Sequence, residues 1–267
     1  MSVDDALCRL SDGGQVSRAE IRWILAHWEE AGPSLVSRLR VFAADGIRSS
    51  AAGMEAFFAV HLCAEQGERA AFSPLCRMIA NDPAIDRWLG DAVTETLPGI
   101  LISTFDGDVA ILQQAIESPN GYEFARASAL LALAYLVRAE AVVDEAGMRA
   151  YMRRLLREMK PRGESIVWMA WAMCAADLGY ADMRSDVIKL DNEERIPERD
   201  FSPQLFDRQI ELVRDDPSGL AGFRADLIHP LDDAVDALHA LNCVCVGAPY
   251  ACPTLAEAAE ISAASGA

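Results

Sequence analysis

The sequence predicts an all-α protein built as an α-solenoid of stacked antiparallel helix pairs. Three observations carry that expectation. Apolar residues recur at helical spacing through most of the chain, and alternating β-branched strand patterns are almost absent. A nearly all-apolar segment followed by an amphipathic one also recurs, at intervals of roughly 35 to 45 residues, the period of helical-pair repeats.

Taken in order, Ile21, Ile24, Leu25 and Trp28 share one helical face, and Ser17 with Glu20 forms a capping box before them. Four pairs follow, over residues 51–81, 88–118, 123–159 and 164–191, with Asn81-Asp-Pro83, Ser118-Pro-Asn-Gly121 and Lys160-Pro-Arg-Gly163 as breakers between them. Phe72, Leu75, Cys76 and Ile79 mark the buried stripe of one amphipathic helix. Met148, Tyr151, Met152, Leu155, Leu156 and Met159 mark another. Asp108 is placed to cap the helix after it, as is Ser202, where Pro203 suits the first turn. Residues 124–137 and 166–178 are apolar on nearly every side and rich in Ala, so burial on every side is expected. The pair within 17–44 would cap one end of the stack, and 202–214 with 231–241 the other. Residues 243–246 form a short strand candidate. The reading is one helical-repeat domain over 1–246, with a repeat core at about 51–191. Residues 247–267, turn-rich and then Ala-rich, form a weakly helical or frayed tail.

Composition narrows the function. The 267 residues are 52% hydrophobic, enough for a large core, and 41 Asp plus Glu against 24 Lys plus Arg give a net charge of -17. Such a field repels phosphate backbones and anionic membranes, so nucleic acid is not an expected partner. The longest apolar run, Ile166 to Ala176, falls short of the roughly 20 residues of a membrane helix, so no membrane association is expected. Met1-Ser-Val-Asp-Asp lacks a basic n-region, and seven cysteines do not make a disulfide framework. A cytoplasmic location is expected, with Cys63, Cys76 and Cys174 as small core residues.

The middle of the chain resembles a known family. Leu89-Gly-Asp-Ala-Val-Thr-Glu-Thr-Leu-Pro-Gly-Ile-Leu101, Phe105-Asp-Gly-Asp108 and the Arg126 to Leu133 helix are similar to DUF1186, an uncharacterised bacterial family with HEAT-like helical repeats. Asp177-Leu-Gly-Tyr180 and the helix beginning Ile228-His-Pro-Leu-Asp-Asp also match its pattern. The resemblance implies a HEAT-like fold from about Gly53 to Leu241 and brings no reaction with it. Some relatives carry a downstream Cys-rich metal module. Here Cys243-Val-Cys245 is followed by Gly-Ala-Pro-Tyr, so that module is not carried over.

Four carboxylates are the leading site candidates. Asp91 and Glu95 are four apart and share a helix face, and a folded-back loop would bring Asp106 and Asp108 toward them, beside Trp88. Converging, they would suit a cationic ligand, a hard metal ion or acid/base chemistry. The same residues also suit a structural part, with Asp108 as a cap, Asp106 in an Asp-Gly turn and the other two solvated. Arg149, Arg153 and Arg157, with Arg154 beside them, form the one dense basic face. It would grip an acidic partner or a nucleic-acid strand, or pair with neighbouring carboxylates. Cys243, Cys245 and Cys252 with His229 and His239 lack zinc-site spacing, so neither metal nor cofactor is expected. The five tryptophans suit core packing.

These features favour a non-enzymatic scaffold or adaptor that holds a protein or peptide partner in its groove. The rival is a metal-dependent hydrolase or lyase using Asp91, Glu95, Asp106 and Asp108, and DNA binding through the Arg149 face is a third reading. Oligomeric state is not readable.

Overall fold

A computed structural model describes residues 5, 6, 9, 18–44, 50–197 and 201–241, and among them every regular element is a helix. The first pair is α1 (Arg18–Ala26) and α2 (Trp28–Ala44), the second α3 (Ser50–Glu65) and α4 (Phe72–Asn81). Three short helices, α5 (Asp86–Leu89), α6 (Ala92–Glu95) and α7 (Leu97–Thr104), precede α8 (Val109–Glu117). Then come α9 (Glu123–Glu140), α10 (Glu145–Glu158), α11 (Ile166–Asp177) and α12 (Arg184–Asn192). α13 (Pro203–Arg214), α14 (Ala221–Ala225) and α15 (Ala234–Ala240) complete the described chain. Ser17, Cys8, the strand candidate at 243–246, the tail at 247–267 and Cys243, Cys245 and Cys252 lie outside the described residues.

The buried helices touch in chain order: α3 packs on α7, α7 on α9, α9 on α11 and α11 on α13, while α4 packs on α8. The amphipathic stripe of α10 is inward as its spacing predicts, with Met148, Tyr151, Met152 and Leu155 buried. Asp108 caps α8 by accepting the Ile111 N–H at 3.1 Å, and Ser202 caps α13 through Leu205 N–H. The segment at 88–104 departs from a single helix. Gly90, with φ 55, ends α5 in the left-handed region, and Pro98 opens α7 in its first turn.

Successive layers are tied by buried polar groups. Arg126, almost wholly buried, donates through Nε to Ile116 O at 2.9 Å and through Nη2 to Lys160 O at 2.6 Å. Burial opposes its charge and lowers its pKa, and two carbonyl acceptors satisfy the donors instead. Ser118 Oγ donates to Ala80 O, and Trp171 Nε1 to Met152 O. His61 is buried with its pKa pushed down to about 4, so it is neutral. Its Nδ1 faces Phe57 O and must carry the proton, which leaves Nε2 to accept from the Thr96 hydroxyl at 2.9 Å.

The chain's return departs from the expected arrangement. Residues 202–214 pack beside α11 at the far end of the stack, but α15 lies against α1 and α3 near its start. Leu231 N–H donates to Ser103 Oγ at 2.8 Å, and Ala234 N–H to Glu65 Oε2 at 2.7 Å. Arg22 bridges Glu65 and Asp233, and Arg18 pairs with Asp236. These pairs are solvent-exposed and contribute little each, but together they fix where the returning segment lands.

Two predictions follow from the packing. A Cβ at Gly121 would sit 2.2 Å from the Ile79 carbonyl oxygen, whereas one at Gly163 meets nothing within 4 Å. Gly121→Ala should therefore cost about 2–3 kcal/mol, read as a lower urea midpoint at unchanged slope, and Gly163→Ala should leave the midpoint in place.

The second concerns Asp177, which is fully buried at the end of α11. Its Oδ1 accepts from Gln209 Nε2 at 2.7 Å, and its Oδ2 has no partner. Burial, reinforced by Asp226, lifts its pKa from 3.8 to about 7. The folded carboxyl thus holds its proton more tightly than the unfolded one, a stabilisation present below about pH 4 and lost as pH rises through 7. From pH 5 to pH 8 the wild-type Tm should fall and that of Asp177→Asn should stay nearly flat. Parallel Tm profiles would refute this account.

Candidate functional site

A groove of about 800 Å³ opens between α7, α9, α11 and the returning segment at 226–240. Its floor is two matched stripes. Phe124, Ala127, Ser128 and Leu131 of α9 follow the i, i+3, i+4, i+7 pattern, and Ile166, Met169, Ala170 and Met173 of α11 repeat it. Phe124, Leu131, Ile166, Met169 and Met173 are only half-buried. The expectation that both helices are buried on every side is therefore corrected. Each packs against neighbours on three sides and turns its fourth toward the groove. Tyr135 continues the α9 stripe, and Phe223 of α14 covers it edge-on, with 5.6 Å between ring centroids.

The opposite wall depends on a close backbone approach. At Gly99, in α7, a Cβ would lie 2.8 Å from the His229 carbonyl oxygen, so only glycine lets residues 229–231 cross there. The rim is acidic: Glu95, Asp226, Asp232, Asp233 and Asp236 line the groove, and no Lys or Arg does. Asp233 and Asp236 are engaged by Arg22 and Arg18, whereas among the described residues Glu95 and Asp232 form no ion pair. Asp226 is solvent-accessible yet crowded by the walls, and this desolvation raises its pKa.

Leu227 stands at the lip, 77% exposed, with φ 57. It ends α14 in a Schellman arrangement, in which Ile228 N–H donates to Phe223 O at 2.7 Å and Leu227 N–H to Arg224 O at 3.3 Å. The same pair of bonds closes α3 at Gly67 and α11 at Gly179, where glycine adopts the left-handed backbone freely. A leucine there costs about 1–2 kcal/mol.

The sequence candidates separate. Glu95 ends α6 and enters the groove rim; Asp91, exposed, precedes α6 one turn earlier. Asp106 Oδ1 accepts the Asp108 N–H at 2.9 Å, and Asp108 caps α8. Trp88 packs edge-on against Phe42 and donates to Asp82. Among the described residues no three His, Cys, Asp or Glu side chains gather so as to hold a metal ion, these four carboxylates included. On the basic face Arg149 pairs with Glu145 and Asp182, Arg153 with Asp182, and Arg154 with Glu117 through two bonds of 2.7 Å. Arg157 is exposed and outside these pairs. No described helix is long and apolar enough to cross a membrane.

Sequence reasoning did not pick out the groove residues. The floor positions do recur at helical spacing, but both helices are apolar on every side, so nothing in the spacing separates the groove stripe from the buried ones. Asp232 and Leu227 carry no signal of their own, because only the path of the returning chain brings them to the groove.

A family model described as a protein of unknown function (DUF1186) matches residues 1–217. An uncharacterized protein of Chlamydia trachomatis serovar D is 30% identical over 121 residues, which cover 44% of this chain and 47% of that relative. The chain thus spans about half the length of the curated relative it matches. No solved structure matches.

The wall gives a direct prediction. Gly99→Ala forces the added methyl against the His229 carbonyl and should lift residues 226–240 from α7 while the α9–α11 layer stays folded. Hydrogen exchange at the Leu231 and Ala234 amides should accelerate about tenfold or more, a loss of about 1.4 kcal/mol in local protection, with little change in α9.

Proposed function

We propose, from the premise that the chain belongs to the DUF1186 family and takes no reaction from it, that this protein is a non-enzymatic helical-repeat scaffold whose groove holds a protein or peptide partner. The succession α3, α7, α9, α11, α13, each touching the next, supports a HEAT-like solenoid, and the groove lies along it. A single observation carries the binding role: two adjacent helices, apolar all round, each turn one regular, half-buried stripe toward the groove that no other described residue fills. Leaving that surface to water forgoes about 25 cal/mol per Å² that a partner would recover. Phe124, Leu131 and the two methionines supply broad, adaptable contact, and Met in particular suits surfaces that must fit an incoming chain.

The eight residues from Phe124 to Leu131 advance about 10 Å along the helix axis, two turns, so the floor suits a short peptide segment or one helix face. A photo-crosslinking side chain placed at Met173 should form a discrete adduct with a cellular protein that the same group at exposed Glu29 of α2 does not. Met169→Gln should cut that adduct about tenfold, equivalent to about 1.4 kcal/mol of affinity, while Tm changes little because Met169 is only half-buried. Identical adducts from both positions would remove the groove as the binding site.

A further inference from the structure

The groove's lip and rim together point to the chemistry of its partner. We infer that the occupant is a cationic amphipathic helix, its apolar stripe held between the Met169/Met173 floor and Leu227 and its basic flank set against Glu95 and Asp232; this rests on the groove reading above. Two independent features carry it. One is charge: among the described residues five carboxylates and no Lys or Arg line the groove, and Glu95 and Asp232 make no ion pair there. A basic flank would complement them, and an acidic one would meet like charge.

The other feature is Leu227. Four described helices end in the same pair of hydrogen bonds, at Gly67, Gly179, Glu194 and Leu227; the first two close on glycine and the third on a charged residue, whereas the fourth presents a large apolar side chain, 77% exposed. The residue improves neither its own helix end nor the core beneath it. It does place four carbons across from the half-buried stripes of α9 and α11, where an inserted helix would be enclosed on both sides. Helix-in-groove recognition reads anchors at i, i+3, i+4 and i+7, the same spacing as both floor stripes.

The test uses the full chain and three synthetic peptides of about 18 residues, long enough to fold on contact. The first has a leucine stripe at helical spacing and lysine elsewhere, the second replaces lysine with glutamate, and the third scrambles the first. Calorimetry should show the lysine helix binding at least about tenfold tighter than either other peptide. Leu227→Gly should weaken it about tenfold while raising Tm, so that affinity and stability move in opposite directions. Glu95→Gln with Asp232→Asn should weaken binding and flatten its salt dependence, whereas Glu29→Gln with Glu30→Gln, removing equal charge from α2, should do neither.

Equal binding of the glutamate or scrambled peptide, or an unchanged affinity in Leu227→Gly, overturns the assignment. If Met169→Gln with Met173→Gln still abolishes binding in that case, the groove reading survives and only the partner chemistry fails. If that floor variant binds the lysine helix normally, both fail. Dimerisation lost in Leu227→Gly would make a second copy the occupant. Peptide binding that tightens when Leu255 and Ile261 become Ser would make it the chain's own end. Either result, or no binding at about 100 µM peptide, overturns the proposal.

Discussion

Residues 229–231 can cross α7 only because residue 99 has no side chain: a methyl group there would lie within 2.8 Å of a backbone oxygen. From that crossing the remaining geometry follows. The chain has run from α1 to α13, which packs beside α11, and must come back past α7 to set α15 against α1 and α3. Ser103, Glu65 and Arg22 then receive it at fixed points. No one of these bonds is strong, yet each constrains the same short segment, and a segment held at several points loses the freedom to close down on the floor. The result is a wall standing opposite two helices rather than a strap lying on them.

The apolar helices gain a different meaning once the wall is in place. Periodicity distinguishes a helix with one apolar face from a helix with four, but it does not say what covers the fourth. In α11, Val167, Trp168, Trp171 and Cys174 are buried among protein neighbours, while Ile166, Met169 and Met173 are half-buried along the groove. Both sides of each helix are apolar, and the long flexible Met169 and Met173 fall on the groove side.

Much of the fold was legible because it rests on local rules. The α10 stripe and the caps at Asp108 and Ser202 each follow from spacing or from one side chain reaching a nearby amide. Less was legible where distant residues decide. Arg126 reads as a polar interruption of an apolar helix, and only the carbonyls of Ile116 and Lys160, brought to it by two separate turns, explain its burial. The break at Gly90 is local and visible; its consequence, that Glu95 ends a one-turn helix at a groove rim, is not. Of the four candidate carboxylates Glu95 alone lines the groove, and Asp232 and Leu227, more than a hundred residues away in sequence, reach it only through the fold.

Charge acts on this site at two ranges. Most arginines with known partners serve the protein itself: Arg154 holds Glu117, Arg149 and Arg153 share Asp182, Arg184 holds Asp207, and Arg22 holds Asp233. Each such pair removes one positive and one negative charge from the outer field, so the net charge of -17 resides in carboxylates that are left over. A field of that kind reaches about a Debye length, roughly 8 Å at physiological salt, and accelerates the approach of any cation without selecting among them. Selection requires a feature that charge alone does not supply. In the groove, carboxylates and apolar stripes of fixed spacing share one lining, so on the proposed reading a ligand would have to satisfy both at once. The long-range field would then set how often a basic chain arrives, and the match of its apolar residues to the floor how long it stays.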